Sequence, residues 1–201
     1  MNQFLKGWNR SANDALQPLE TTVTFLEMTN QPIHRVQPPT NLRLALLRAH
    51  KPTPHFYRYL YFHVGNQWNW EMRLRLNDEA LLEKIHAPNT EIHVLYLDGV
   101  PAGFFEINRE NPAVTDLAYF GIMGHAIGLK LGKWFLSAAI HACWENGPDK
   151  ITVNTCTLDH PAALPLYQKM GFVPVRRAQG RVKPLAHSER AALAIREGLG
   201  P

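Results

Sequence analysis

Reading from the N-terminus, apolar positions first become regular at residues 22–28 (TVTFLEM), a β-branched alternating run that predicts a strand. Residues 31–40 hold Pro32, Pro38 and Pro39 and must form a loop. Residues 42–49 (LRLALLRA) fit either a helix or a strand, with the strand preferred. Phe56, Tyr59, Leu60 and His63 recur at helical spacing over Pro54–Val64, and Gly65-Asn66 ends that helix. A second helix over Asp78–Ile85 starts after Asn77, a residue suited to capping, and buries Ala80, Leu81, Leu82 and Ile85. Then follow a hairpin, with strands at 91–97 and 100–108 about an Asp98-Gly99 turn, and another strand over 114–122.

The second half is dominated by a helix predicted over Gly128–Asn146. Lys133, Ser137, His141 and Glu145 recur every four residues as one narrow polar stripe. The remaining positions are mostly apolar or small, so this helix should be covered on most sides. A strand over 151–158, a short helix over 161–170 stopped by Gly171, a strand over 172–177 and a terminal helix over 188–199 complete the pattern. The alternation of strand and helix implies an α/β fold with a mixed sheet and a parallel pair at its centre. The expected organisation is a loose arm at 1–20, one domain over 21–180, and a tail with a short helix at 181–201.

Composition narrows the classes. The chain has 201 residues, 45% hydrophobic and 19% charged, which suits one substantial domain with a packed core. No apolar run approaches the about 20 residues of a membrane span, and the first residues lack a secretory apolar stretch. A cytoplasmic protein without membrane attachment is expected. Cys143 and Cys156 form no CxxC pair and read as reduced, packed thiols. The ten histidines show no metal-ligand spacing, so no metal is expected. No Gly-x-Ser-x-Gly elbow is present, which argues against an α/β-hydrolase. Net charge is +4 and pI near 9.2, but the basic residues are scattered, so no nucleic-acid partner is expected. A phosphate-rich small ligand would also suit a positive surface.

Two segments flanking the long helix carry the chemistry. One is DLAYFGI (116–122) followed by MGHAIGLKLGK (123–133): a strand entering a helix through a glycine-containing turn, where free N–H groups favour an anion. The other is TCTLDHPAALPLYQKMGF (155–172), a strand end, an Asp-His-Pro helix start, then Leu-Tyr followed by Gly-Phe. With these motifs, residues 91–177 resemble the core of the GNAT N-acetyltransferase superfamily, nearest to a bacterial branch with YFG and TCTLDHP strands; residues 54–86 resemble it as well. The resemblance implies a central mixed sheet splayed between two parallel strands, with helices on both faces. It implies acetyl-CoA as co-substrate, its pantetheine arm in the splay beside Ile122 and Met123. The pyrophosphate would rest on Ile127, Gly128, Leu129, Lys130, Leu131, Gly132 and Lys133, with His160 on the facing turn. Where the superfamily prefers Arg or Gln, then Gly-x-Gly, this chain has Ile127, Lys130 and Gly132.

The implied reaction is direct transfer of an acetyl group to a primary amine, with Tyr167 in the position of the tyrosine that protonates the departing thiolate. A phenol with its ordinary pKa of about 10 is protonated at neutral pH and able to donate. Attack also requires loss of an amine proton, for which Glu106, Asp116 or a water chain are the candidates. Strand alternation places Asp116 on the face of Ala118, Phe120 and Ile122. Tyr57, Tyr61, Trp68 and Trp70 are concentrated before the hairpin; Tyr61, Trp68 and Trp70 are the candidate acceptor-binding residues. An alternative is an acyl-CoA sensor that binds without turnover. A homodimer contact through Phe4, Trp8 and the terminal helix is a further expectation, and the identity of the amine is left open.

Overall fold

The computed structural model describes residues 16–196. Seven strands form one sheet: β1 (Leu19–Met28), β2 (Leu44–Arg48), β3 (Thr90–Leu97), β4 (Val100–Asn111), β5 (Val114–Ile122), β6 (Lys150–Cys156) and β7 (Val173–Val182), in the order β2-β3-β4-β5-β6-β1-β7. Every neighbouring pair is antiparallel except β5 and β6. This is a mixed α/β sheet with helices on both faces, and residues 42–49 resolve as a strand. Phe4 and Trp8 lie outside the described residues, as does the part of the expected terminal helix beyond Arg196.

Helices α1 (Pro54–Gly65) and α2 (Asp78–Ile85) cover one face. Both begin as the sequence predicts, with Thr53 accepting from the Phe56 amide at 3.3 Å and Asn77 from that of Ala80 at 2.9 Å. Tyr57, Leu60, Tyr61 and Val64 pack there with Phe104 and Met123. On the other face α3 (Gly132–Trp144) and α4 (Ala163–Lys169) bury Phe135, Leu136, Ala139, Ile140 and Tyr167 against Phe105, Ile107, Leu117 and Val153. A terminal helix α5 (His187–Arg196) follows β7.

Helix α3 starts four residues later than its apolar pattern predicts. Gly128 and Lys130 adopt left-handed backbones, with φ of +88° and +60°, and residues in that conformation cannot belong to a right-handed helix. The middle of its polar stripe is also covered: Ser137 and His141 are buried, and Ser137 Oγ accepts from the Val36 amide at 3.0 Å, so the proline-rich loop lies across it. At the other end Arg109 donates to the carbonyls of Ala142 (2.6 Å) and Cys143 (2.9 Å), answering the free carbonyls and negative pole of the helix terminus.

Two features of β5 shape the site. The register passes from Glu106↔Tyr119 to Ile107↔Leu117, leaving Ala118 as an extra, bulged residue. Pairing with β6 runs only from Val114↔Lys150 to Leu117↔Val153, so β5 beyond the bulge and the end of β6 diverge. A bulge strengthens local twist, which is the physical reason for a splay at this point.

Candidate active site

The splay opens into a cleft of about 540 Å³. Ala118–Ile122 and Val153–Cys156 line it from the two diverging strands, and Gly128, Lys130 and Gly132 of the turn before α3 and Trp68, Trp70 and Tyr61 line it as well. Ile122, Ile127, Gly128, Lys130, Leu131, Gly132, His160, Tyr167, Tyr61, Trp68 and Trp70 therefore all line one cavity. Met123, Leu129 and Lys133 do not line it. Met123 is buried on the α1 face and its N–H donates to the Ala102 carbonyl at 2.8 Å. That bond makes Gly103↔Ile122 a non-bonded pair of the antiparallel ladder, so the Ile122 amide points away from β4 and into the gap.

The turn entering α3 suits a polyphosphate. The N-terminal residue preceding the helix, Leu131, supplies no side-chain cap, which leaves first-turn N–H groups free to meet an anion. Lys130 and Lys133 are exposed beside it. Substituting a β-carbon at Gly128 or Gly132 would meet no clash, so these glycines are not demanded by packing; Gly128 is demanded by its backbone angle.

Tyr167 is buried in the cleft wall beside Phe120 and Phe172, with ring centroids 6.3 and 5.9 Å away. Burial, and then the charge of Asp159, push its phenol well above the usual tyrosine range. Gly171, with φ +104°, ends the helix that carries Tyr167, and the Phe172 amide returns to the Tyr167 carbonyl at 3.1 Å. His160 is exposed; its ring meets Trp68 edge-on at 5.0 Å.

Trp70, Tyr61 and Tyr119 form an aromatic cluster in the cleft lining. Trp70 lies 5.4 Å from Tyr61 and 5.3 Å from Tyr119, ring to ring. Two glycines admit this packing. A β-carbon on Gly65 would fall 2.3 Å from that of Trp70, and one on Gly121 would fall 2.2 Å from Val64 Cγ1. The glycine of the YFG strand is thus where α1 rests directly on the sheet.

The two carboxylates singled out by sequence are off the cleft wall. Glu106 is buried: Oε1 accepts from Arg73 and Oε2 from the Tyr57 hydroxyl, each at 2.5 Å. Burial raises its pKa, against the pull of Arg73. Asp116 accepts from Thr152 Oγ1 at 2.7 Å and lines a separate cavity with Asn108 and Lys150. Because of the bulge at Ala118 it shares the face of Glu106 and Tyr119, where strict alternation would have put it with Phe120 and Ile122.

Two carboxylates that sequence reasoning passed over do line the cleft, Glu71 and Asp159. Glu71 pairs with Arg75 at 2.7 Å; burial lifts its pKa, Arg75 lowers it, Glu189 raises it, and the balance is upward. Its only sequence signal was adjacency to Trp70. Asp159 was visible inside the DHP motif, but its partner Trp70 lies 89 residues away in sequence.

Among the described residues, no group of three His, Cys, Asp or Glu side chains is placed to hold a metal, and no helix is long and apolar enough to cross a membrane. None of the curated proteins searched matches the chain significantly. Solved structures do. A GCN5-related N-acetyltransferase from Kribbella flavida superposes with TM-score 0.55 at 15% identity, over 83% of this chain and 59% of that one. One from Sphaerobacter thermophilus gives 0.56 at 12% identity, over 85% and 54%. An aminoglycoside N-acetyltransferase in complex with CoA gives 0.51 at 17% identity, over 70% of this chain and 94% of that one. The chain spans 55–64% of the length of the first three solved structures it matches. At these identities the likeness is one of fold. The family described as acetyltransferase (GNAT) domain matches residues 69–187, more than half the chain and the whole stretch from Trp70 to β7, and the chain belongs to that family of acyltransferases.

Proposed function

We propose that the protein transfers an acetyl group from acetyl-CoA to a primary amine by direct attack within the β5–β6 splay. The observation that carries this is the unpaired gap itself: the Ile122 amide faces it, Tyr167 stands in its wall, and an uncapped helix N-terminus borders it. The residues fit an acyl thioester on a phosphorylated arm. Free N–H groups of α3, with Lys130 and Lys133, hold the phosphates, and the Ile122 N–H polarises the thioester carbonyl.

The amine enters from the side of Trp68, Trp70 and Tyr61, whose faces favour an apolar or cationic carrier; an aminoglycoside is one class to try. Glu71 takes the proton that the ammonium must lose, directly or through water, since burial makes its carboxylate more basic than an exposed one. Nitrogen bonds to the carbonyl carbon and gives its second proton to water as it becomes an amide; the C–S bond breaks, and the departing sulfur receives the Tyr167 proton. The phenol is then reprotonated from solvent. Burial keeps Tyr167 protonated until that moment, which is the state a donor needs. Glu106 serves as counter-ion to Arg73, holding the aromatic wall from behind.

The test is calorimetric titration with acetyl-CoA, beside thiol release with butylamine, benzylamine, tryptamine, putrescine and kanamycin. Binding with turnover that falls about 100-fold or more in Tyr167→Phe, in line with the typical contribution of general acid catalysis, supports the scheme. Binding without turnover on any amine indicates a sensor; no binding overturns the proposal.

A further inference from the structure

Asp159 lies in the turn after β6, and its carboxylate bonds to both sides of the cleft. Oδ2 accepts from Thr155 Oγ1 and from the Cys156 amide, each at 2.8 Å, which fixes the carboxylate to the end of β6. Oδ1 accepts from Trp70 Nε1 at 3.1 Å, across 89 residues of sequence. The other restraints on Trp70 are of a different kind. Its backbone N–H donates to the Gly65 carbonyl at 3.1 Å, and its ring rests among Tyr61, Tyr119 and Phe104. Ring contacts of that sort exclude volume without setting which edge of the indole points where. The N–H to carboxylate bond does set it, and bonds to an ionised acceptor are the strong and directional ones.

We infer that Asp159 is a positioning residue which ties the acceptor-side Trp70 to the strand end that forms the opposite wall, and so fixes the width and shape of the acceptor subsite. This rests on the reading of the cleft as an acyl-transfer site. The carboxylate also stands close enough to Tyr167 for its charge to favour the protonated phenol. A role confined to the turn after β6 is the competing account, because two of the three bonds are local.

The deciding experiment is a double-mutant cycle on Asp159→Asn and Trp70→Phe, measured with the amine in the panel that is turned over fastest. Trp70→Phe removes the indole N–H and leaves both β6 bonds of Asp159 in place. A tether predicts that Asp159→Asn raises the acceptor KM about tenfold or more in the wild-type background, the scale of a hydrogen bond to a charged group. In the Trp70→Phe background the same change should move it less than twofold, and calorimetric affinity for acetyl-CoA should stay within about threefold throughout. The indole N–H resonance that vanishes in Trp70→Phe identifies Trp70, and it should shift upfield in Asp159→Asn. Equal effects of Asp159→Asn in both backgrounds, or an unmoved resonance, would overturn the tether while leaving acyl transfer standing. Acetyl-CoA binding with no turnover of any amine would overturn both.

Discussion

The contact between α1 and the sheet at Gly121 can be tested quantitatively. A β-carbon there would lie 2.2 Å from Val64 Cγ1, 3.6 Å from Val64 Cβ and 3.7 Å from Trp70 Cη2. Only the first of these is a clash, and it is with a β-branched side chain on a helix, which has one strongly preferred rotamer. Gly121→Ala should therefore cost about 1–3 kcal/mol of overpacking. The gain from replacing glycine inside a strand, about 0.5–1 kcal/mol, offsets part of this. Val64 is 4% exposed, so Val64→Ala alone should cost about 2 kcal/mol through lost burial and a small void. In the double variant both Cγ atoms are gone, the nearest contact is the ordinary 3.6 Å one, and the added methyl partly fills the void. The double variant should be no less stable than Val64→Ala, giving a favourable coupling of about 1–3 kcal/mol. Urea denaturation of the four proteins at neutral pH measures it. Additivity within about 0.5 kcal/mol would refute the steric account.

Two further outcomes follow from the charged groups. Glu71 must be ionised to act as a base, so kcat/KM should rise with pH through a limb set above the ordinary carboxylate range, and Glu71→Gln should abolish that limb while lowering the rate by about 100-fold; a retained limb would exclude Glu71. Glu91 has the opposite shift: burial lifts its carboxyl, but the hydrogen bond and charge of Arg109 and the charge of Arg48 outweigh it and hold the pKa low. A lowered folded pKa contributes stability that is present above the unfolded value and lost as pH falls through the folded one. Arg109→Met, which also uncaps α3, should cost about 3–5 kcal/mol at pH 7, and the gap to wild type should narrow in guanidinium melts taken near pH 3. A gap independent of pH would mean that the pairing contributes nothing.

The sequence by itself determined most of what depends on neighbouring residues. Strand and helix periods, the Asn77 cap and the Gly171 stop are local, and each was legible because capping and amphipathicity act within a few residues of chain. The motifs around Phe120–Gly121 and Thr155–Tyr167 likewise placed Tyr167 and the turn before α3 in one cleft. Tertiary structure decided what depends on register and long-range packing. One bulged residue, Ala118, moved Asp116 to the opposite face, a change that periodicity cannot register because it counts every residue as one step. Left-handed angles at Gly128 and Lys130 delayed α3 although the apolar pattern ran on through them. Glu106 reads from sequence as a candidate base, and nothing local reveals that its partners, Arg73 and Tyr57, come from segments 33 and 49 residues away. Glu71 and Asp159 came to line one cleft only through tertiary structure, since contacts such as that of Asp159 with Trp70 are made in space and leave no fixed spacing along the chain.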